Sequence, residues 1–398
     1  MNDYTELAPY AVSELNSRGR VHSVQLAKDR NSFQRDYTRI VHSRSFRKLQ
    51  GKTQVFPAEQ GQIEDSYRTR LSHSIEVEQI SRSIARALLL NNDLAAAIAV
   101  GHDIGHAPFG HTGQDVLNEL FKDSGGFEHN HHALRLVDLI ESPYPNHPGL
   151  NLMFETREGL LKHCTRERAQ KLGLVADRHI TGTSPPLEVQ VVDLSDQIAY
   201  LYGDFEDAVD KNLFSPDFIM EEMPGFKHFW NATIKDMPDL KFPSHQDLLH
   251  PEKSVQARST MGEIWRRMLS DAVDNLIIQS RSNIELERVE SLGDVRLSRP
   301  LIAFSEEKRA LHRDLRNFSR KWIYDNDKIM AHREIEKTAL RAMYHSIKDD
   351  PESAGLPKNA SSDLLRDWMA SRTDRTVISW YNDFINQKNC PPSQPSYK

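Results

Sequence analysis

Cysteine is almost absent from this chain: its 398 residues hold two, Cys164 and Cys390, far apart. That excludes a disulfide-stapled scaffold and a thiolate zinc site, and it predicts a reducing, cytoplasmic setting. Long apolar runs are missing too. No stretch approaches the ~20 residues of a membrane span, so no membrane partner is expected. The opening residues MNDYTELAPY have neither a basic start nor an apolar segment, which predicts no secretory signal. Positive charge is not in excess: the net charge is -6, which argues against a protein that coats nucleic acid through its overall field. No GxGxxG or Walker loop is present, no G-x-S-x-G elbow and no clear β-alternation, so the common nucleotide-binding loops and the serine-hydrolase turn are excluded.

Histidine, by contrast, is plentiful, with 18 residues, many of them between His73 and His132. The densest stretch is IAVGHDIGHAPFGH, Ile98 to His111. A run of small and aliphatic residues from Leu94 to Val100 predicts a buried helix. It ends in Gly101, with Gly105, Pro108 and Gly110 close behind, residues that break regular structure and let the backbone approach its neighbours. His102, Asp103, His106 and His111 sit on this break. An imidazole nitrogen beside a hard carboxylate oxygen suits a divalent cation kept partly open to water.

In chain order, residues 1–34 read as a polar arm that packs late or stays mobile. Arg35, Arg39, Arg44, Arg47, Lys48 and Lys52 then face one acid, Asp36, while Ile40, Val41, Phe46 and Leu49 recur at roughly helical spacing. This predicts an amphipathic helix whose basic face is a candidate for phosphate. A polar link from Ala58 to Asp65 precedes a long helix carrying Arg70 and His73. Asn92 or Asp93 is the expected cap of the next helix. Residues after His111 read as helix, as does FEHNHHALRLVDLIE with His129, His131 and His132; the last two read as structural or solvent-facing. Lys162 and His163 are expected inside the helix NLMFETREGLLKHCTRERAQKL. In LEVQVVDLSDQIAYLYGDFEDAV the apolar positions keep a helical period, which places Asp196, Tyr200 and Asp204, each four residues apart, on one face. Amphipathic helices are expected around Ser254–Ser280 and Ser305–Ile347, with a flexible tail after Cys390.

His73, His102-Asp103 and Asp196 together form an H…HD…D pattern in a helical chain, and this resembles the HD-domain superfamily of metal-dependent phosphohydrolases. Further segments, FRKLQGKTQVF, RTRLSHS (Arg68 to Ser74), HDIGHAPFGH, FEHN, VDLSDQIAY and SRTDR (Ser371 to Arg375), are similar to those of the deoxyguanosine triphosphate triphosphohydrolases, in the same order and over most of the chain. The resemblance implies an all-α fold, an HD helical core over 35–215 with additional C-terminal helices (216–398) packed on it. It implies hydrolysis of a deoxynucleoside triphosphate to deoxynucleoside and tripolyphosphate, with a divalent metal ion, Mn²⁺ or Mg²⁺ or else Fe²⁺, held by His73, His102, Asp103 and Asp196.

The same resemblance assigns the remaining roles. His106, His111 and His129 stand as catalytic histidines, and Arg70 and Lys162 as phosphate ligands. Tyr200 and Asp204, helped by Gln54, stand at the sugar, where a ring packed on C2′ would select deoxyribose. Relatives form homo-oligomers and take dNTPs as activators, so both are expected partners. Two departures are visible: Gln114 stands where some relatives carry an acid three residues after the histidine matching His111, and Gln197 where one branch carries a phosphate-binding lysine. Two other readings stay open, another HD-type nucleotidase or phosphodiesterase, and a dNTP-sensing or single-stranded nucleic-acid-binding protein with weak hydrolysis. Base preference is not readable.

Overall fold

The computed structural model describes residues 7–25, 29–56, 68–211, 213–250 and 252–389. The expected link Ala58–Asp65 and the tail from Cys390 lie outside these. The fold is all-α; among the described residues the only β-pairings are single bridges, Arg20 with Met153 and Thr53 with Thr69. Ten helices position the site: α1 (Ser32–Val41), α2 (Arg70–Ala87), α3 (Asn92–Gly101), α4 (Gly110–Leu120), α5 (His129–Arg135), α6 (Leu187–Asp210), α7 (Ser254–Leu286), α8 (Glu306–Ser319), α9 (Asp327–Asp349) and α10 (Asp374–Asn389).

Helix α3 is the axis of the core. Every residue from Leu94 to Gly101 is buried, because the stretch carries no polar side chain to keep in water, and α1, α2 and α6 pack around it. Leu94, Ile98 and Val100 are essentially solvent-free, each contributing about 1.5–3 kcal/mol of apolar burial. Its N-cap is Asn91, one residue before the expected Asn92 or Asp93; the Asn91 side chain accepts the Leu94 N–H at 3.1 Å. Gly101 is required by proximity, since a Cβ there would stand 2.8 Å from Leu160 Cδ2.

Glu188, in the first turn of α6, ties three elements together. Its Oε1 accepts from Val12 N at 2.9 Å and from Asn91 N at 3.1 Å. The start of α3, the start of α6 and the N-terminal segment therefore meet on one buried carboxylate.

The described part of the N-terminal arm, residues 7–25 and 29–34, expected to pack late or stay mobile, is packed on the core. Val12 is fully buried, Ser17 and Arg18 bond Glu155, and Arg20 pairs with the buried Asp36 at 2.5 Å. A buried carboxylate needs a partner, and the arm supplies it. The basic stretch 35–52 is not one helix either. Ser43 caps a new short helix, Arg44–Lys48, by accepting from Phe46 N. Arg39 is buried and donates to the carbonyls of Leu150 and Asn151. Arg44, Arg47 and Lys48 line a second cavity of about 770 Å³. The helix expected through Lys162 breaks at Leu161: Arg178 donates to the carbonyls of Leu161 and Lys162, and His179 contacts the former. Tertiary donors replace the helical ones, and α-helix resumes only at Arg166.

Residues 35–215 and 216–398 share a core. One apolar cluster runs from Ala11 to Ile329, and Phe205 of α6 stacks on Trp265 of α7 at 5.7 Å. No helix among the described residues is long and apolar enough to cross a membrane.

Candidate active site

A cavity of about 880 Å³ opens between α2, α6 and the C-terminal helices α8 and α9. All twelve candidate residues line it: Gln54, Arg70, His73, His102, Asp103, His106, His111, His129, Lys162, Asp196, Tyr200 and Asp204. At its floor, His73 of α2 and His102-Asp103 at the end of α3 bring one potential ligand atom each to within 4.8 Å of one another. Asp196 of α6 stands beside them, its Oδ1 3.0 Å from His73 Nε2 and 3.6 Å from His102 Nε2.

The tautomer of His102 is legible. Its Nδ1 lies 2.6 Å from the Ala99 carbonyl, which only accepts, so Nδ1 carries a proton and Nε2 is the nitrogen left to meet a cation. That Nε2 is buried without a hydrogen-bond partner and faces Asp103 Oδ1 at 3.4 Å. A histidine pinned through one nitrogen to a carbonyl, with the other bare among carboxylates, is the arrangement of a metal-ligating imidazole. The donor set, two imidazoles and two carboxylates, fits a divalent cation with open positions.

The carboxylates are held as anions. Burial opposes their charge, but His102, His106 and Arg70 hold Asp103 well below the ordinary carboxylate range, with Arg70 Nη1 at 2.7 Å. Lys162 and His102 do the same for Asp196. Lys162 Nζ sits 2.8 Å from Asp196 Oδ2 and 3.4 Å from Asp193 Oδ1. Burial works against its charge, yet these two acids push its pKa up. The helix break at Leu161 is what lets this lysine reach in.

Three histidines form the adjoining wall. The rings of His106 and His129 stand 4.1 Å apart, with His111 at 5.5 Å and 6.0 Å from them. Burial and then Arg70 bring His106 down to about 3, and burial followed by His106 pulls His129 down, so both rings are neutral near pH 7. This closeness depends on Gly105: a Cβ there would lie 2.0 Å from the His129 carbonyl oxygen and 2.5 Å from Ala133 N. Helix α4 opens with Phe109 and Gly110 both in the left-handed region, and a Cβ on Gly110 would meet the Arg70 guanidinium at 2.3 Å.

At the other end, Asp204 Oδ1 is buried without a partner while Oδ2 accepts from the Tyr324 hydroxyl. Burial raises this carboxyl to about 7. Gln54 Oε1 is likewise buried and unbonded. These acceptors face a cavity, where a ligand's donors would satisfy them.

Several lining residues escaped the sequence reading. Arg316, Arg320 and Tyr324 descend from α8 and the wide turn after it, and His332, Arg333 and Glu336 from α9. Their signal was an Arg-x3-Arg-x3-Tyr spacing along one helix face. Arg316 donates to Gln197 Oε1 at 2.9 Å, so the position lacking a lysine borrows a guanidinium from another helix. Asp374, in the SRTDR segment, was missed as well. It accepts from Thr53 N at 2.7 Å, from the Thr53 hydroxyl, and from Phe109 N at 2.8 Å. Lys52, expected on a basic face, is buried below the site and donates to the carbonyls of His106 and Ala370. His131 and His132 do not line the cavity.

A sequence profile of the HD domain matches residues 70–201, the span from Arg70 past Tyr200. The chain is 41% identical over 385 residues to a deoxyguanosinetriphosphate triphosphohydrolase-like protein of Azoarcus sp. (strain BH72), covering 95% of this chain and 96% of the relative. A protein of the same description from Thiobacillus denitrificans is 40% identical over 93% and 95% of the two chains. One from Nitrosomonas europaea is 37% identical over 95% and 97%.

Proposed function

The chain belongs to the deoxyguanosinetriphosphate triphosphohydrolase-like family of HD-domain hydrolases, and from that premise we propose that it hydrolyses deoxynucleoside triphosphates to deoxynucleoside and inorganic tripolyphosphate. The observation that carries this reading is the composition of a single cavity. It is lined by the His73, His102, Asp103 and Asp196 donor set, by the cationic side chains of Arg70, Lys162 and Arg316, and by Gln54, Tyr200 and Asp204. A simple phosphomonoesterase has no use for Gln54, Tyr200 and Asp204.

His73, His102, Asp103 and Asp196 would hold the divalent ion, Mn²⁺, Mg²⁺ or Fe²⁺. Bound there, it supplies Lewis acidity to a phosphoryl oxygen and lowers the pKa of a water. Arg70, Lys162 and Arg316 neutralise the triphosphate as water adds to the α-phosphorus, while the bond that breaks leaves its electron pair on the 5′-oxygen of the departing deoxynucleoside. His111 and His129 move protons between the attacking water, the α-phosphate and the departing 5′-oxygen. The low pKa of His129 keeps it an acceptor at neutral pH. Overall, one water adds its oxygen to the α-phosphorus and the deoxynucleoside leaves carrying a proton.

Asp204 accepts the 3′-hydroxyl, oriented by Tyr324, while Tyr200 packs on the deoxyribose face, where a 2′-hydroxyl would meet its ring. The test is incubation with each dNTP and rNTP in Mn²⁺ or Mg²⁺, followed by chromatography of the products. Deoxynucleoside and tripolyphosphate from dNTPs, with rNTPs left intact, are expected. Stepwise orthophosphate release would assign the chain to a different HD chemistry.

A further inference from the structure

Gln114 sits on α4, one turn past His111, where an acid would be expected to serve that histidine. It does not turn toward His111. Its Oε1 lies 3.0 Å from the His129 backbone N and 2.6 Å from His129 Nδ1. One atom thus meets two groups of the same residue.

That double contact removes two ambiguities at once. The backbone N–H is always a donor, so the atom facing it is the amide oxygen and not the amide nitrogen. Once the amide is fixed, Nδ1 faces an acceptor and carries the ring proton. The other neighbour of Nδ1 is Glu128 Oε1 at 3.3 Å, again an acceptor, and that carboxylate is engaged with the backbone N–H groups of Asn130 and His131. Every polar group at Nδ1 therefore selects the same tautomer. Nε2 is left with its lone pair, on a ring that lines the cavity and lies tilted by 30° at 4.1 Å from that of His106.

We propose that Gln114 is the positioning residue of His129: it locks the Nδ1–H tautomer and presents Nε2 as a bare proton acceptor to the reacting phosphate. A carboxylate in its place would select the same tautomer but add a negative charge, which favours the imidazolium. The amide gives orientation without that charge. His129 is then an acceptor in the resting enzyme, and His111 lacks a partner at position 114. The part of this inference that concerns the reaction rests on the triphosphohydrolase reading; the tautomer does not.

The test pairs a spectroscopic readout with kinetics. Protein labelled with ¹⁵N-histidine is compared with Gln114→Leu, Gln114→Glu and His129→Asn by long-range ¹H–¹⁵N correlation, the last variant identifying the His129 signals. Wild type should show His129 protonated on Nδ1 and bare on Nε2. Gln114→Leu should lose that pattern and lower kcat by roughly 10- to 100-fold with KM little changed, the size typical of removing an orienting partner. Gln114→Glu should restore the tautomer and move the acid limb of the pH–rate profile to higher pH. An Nε2–H tautomer in wild type, or an unchanged His129 pattern in Gln114→Leu, would overturn the proposal. Should Gln114→Leu not fold, the wild-type spectrum and the profile of Gln114→Glu still decide it. If dNTPs are not turned over while the tautomer is as stated, the functional reading fails and the positioning stands.

Discussion

Replacing Glu188 with glutamine should make the protein more stable at alkaline pH and leave it nearly unchanged in acid. The side chain is fully buried, and burial, the largest influence, pushes its carboxyl up to about 7 from an ordinary 4.5, against the hydrogen bonds of Asn91 and Val12. A carboxyl with a raised folded pKa contributes fully below its unfolded value. That contribution is lost as pH rises, here between about 4.5 and 7, and stability is flat above. The difference corresponds to roughly 3 kcal/mol at about 1.36 kcal/mol per pH unit. The glutamine amide oxygen keeps both N–H donors, and its NH₂ replaces an Oε2 that has no partner. For a chain of this length the unfolding entropy is on the order of 0.8 kcal/mol per degree, so Glu188→Gln should raise Tm by roughly 4 °C at pH 8 and by under about 1 °C at pH 5. Differential scanning calorimetry across this range reads it directly. A Tm difference that does not vary with pH, or a variant less stable at pH 8, would refute the reasoning.

Gly105→Ala should lower Tm by several degrees, because overpacking typically costs about 1–3 kcal/mol and the clash is with backbone of α5; a thermal melt indistinguishable from wild type would contradict this. Asp374→Ala strips the acceptor from Thr53 N and Phe109 N, roughly 2–4 kcal/mol at about 1–2 kcal/mol per orphaned group, and should lower Tm more than Asp374→Asn, which keeps one oxygen. Tyr324→Phe removes the hydroxyl that Asp204 accepts. It should raise KM for dNTPs roughly tenfold, the equivalent of about 1.4 kcal/mol, with a smaller effect on 2′,3′-dideoxy substrates in steady-state assays.

The His102-Asp103 part of the candidate floor was conspicuous because it is written contiguously, while His73 and Asp196 joined it only through the resemblance to HD-domain proteins. His102, Asp103 and the glycines around them lie in one stretch, and Asp196, Tyr200 and Asp204 share a helix face at a spacing of four. Helical spacing predicted the separate helices, and the resemblance joined them into an all-α class. What the sequence concealed is what the fold brings from afar. Arg316 reaches Gln197 across 119 positions and Asp374 reaches Thr53 across 321, and in isolation each is an ordinary charged residue on an amphipathic helix. Local pattern also misled where tertiary donors intervened. The periodicity through Lys162 favours helix, yet Arg178 and His179 take the carbonyls that would have continued it. Gln114 was visible as a departure, but its partner was not, since a choice between His111 and His129 depends on how α4 and α5 meet over Gly105.

Phosphorus-31 NMR of a dNTP reaction in ¹⁸O-water, with Asp103→Ala run beside the wild type, tests the account most directly. Attack at the α-phosphorus predicts intact tripolyphosphate labelled with one ¹⁸O at a terminal phosphate, unlabelled deoxynucleoside, and no turnover in the variant. Orthophosphate released stepwise, label in the nucleoside hydroxyl, or undiminished turnover by Asp103→Ala would contradict it.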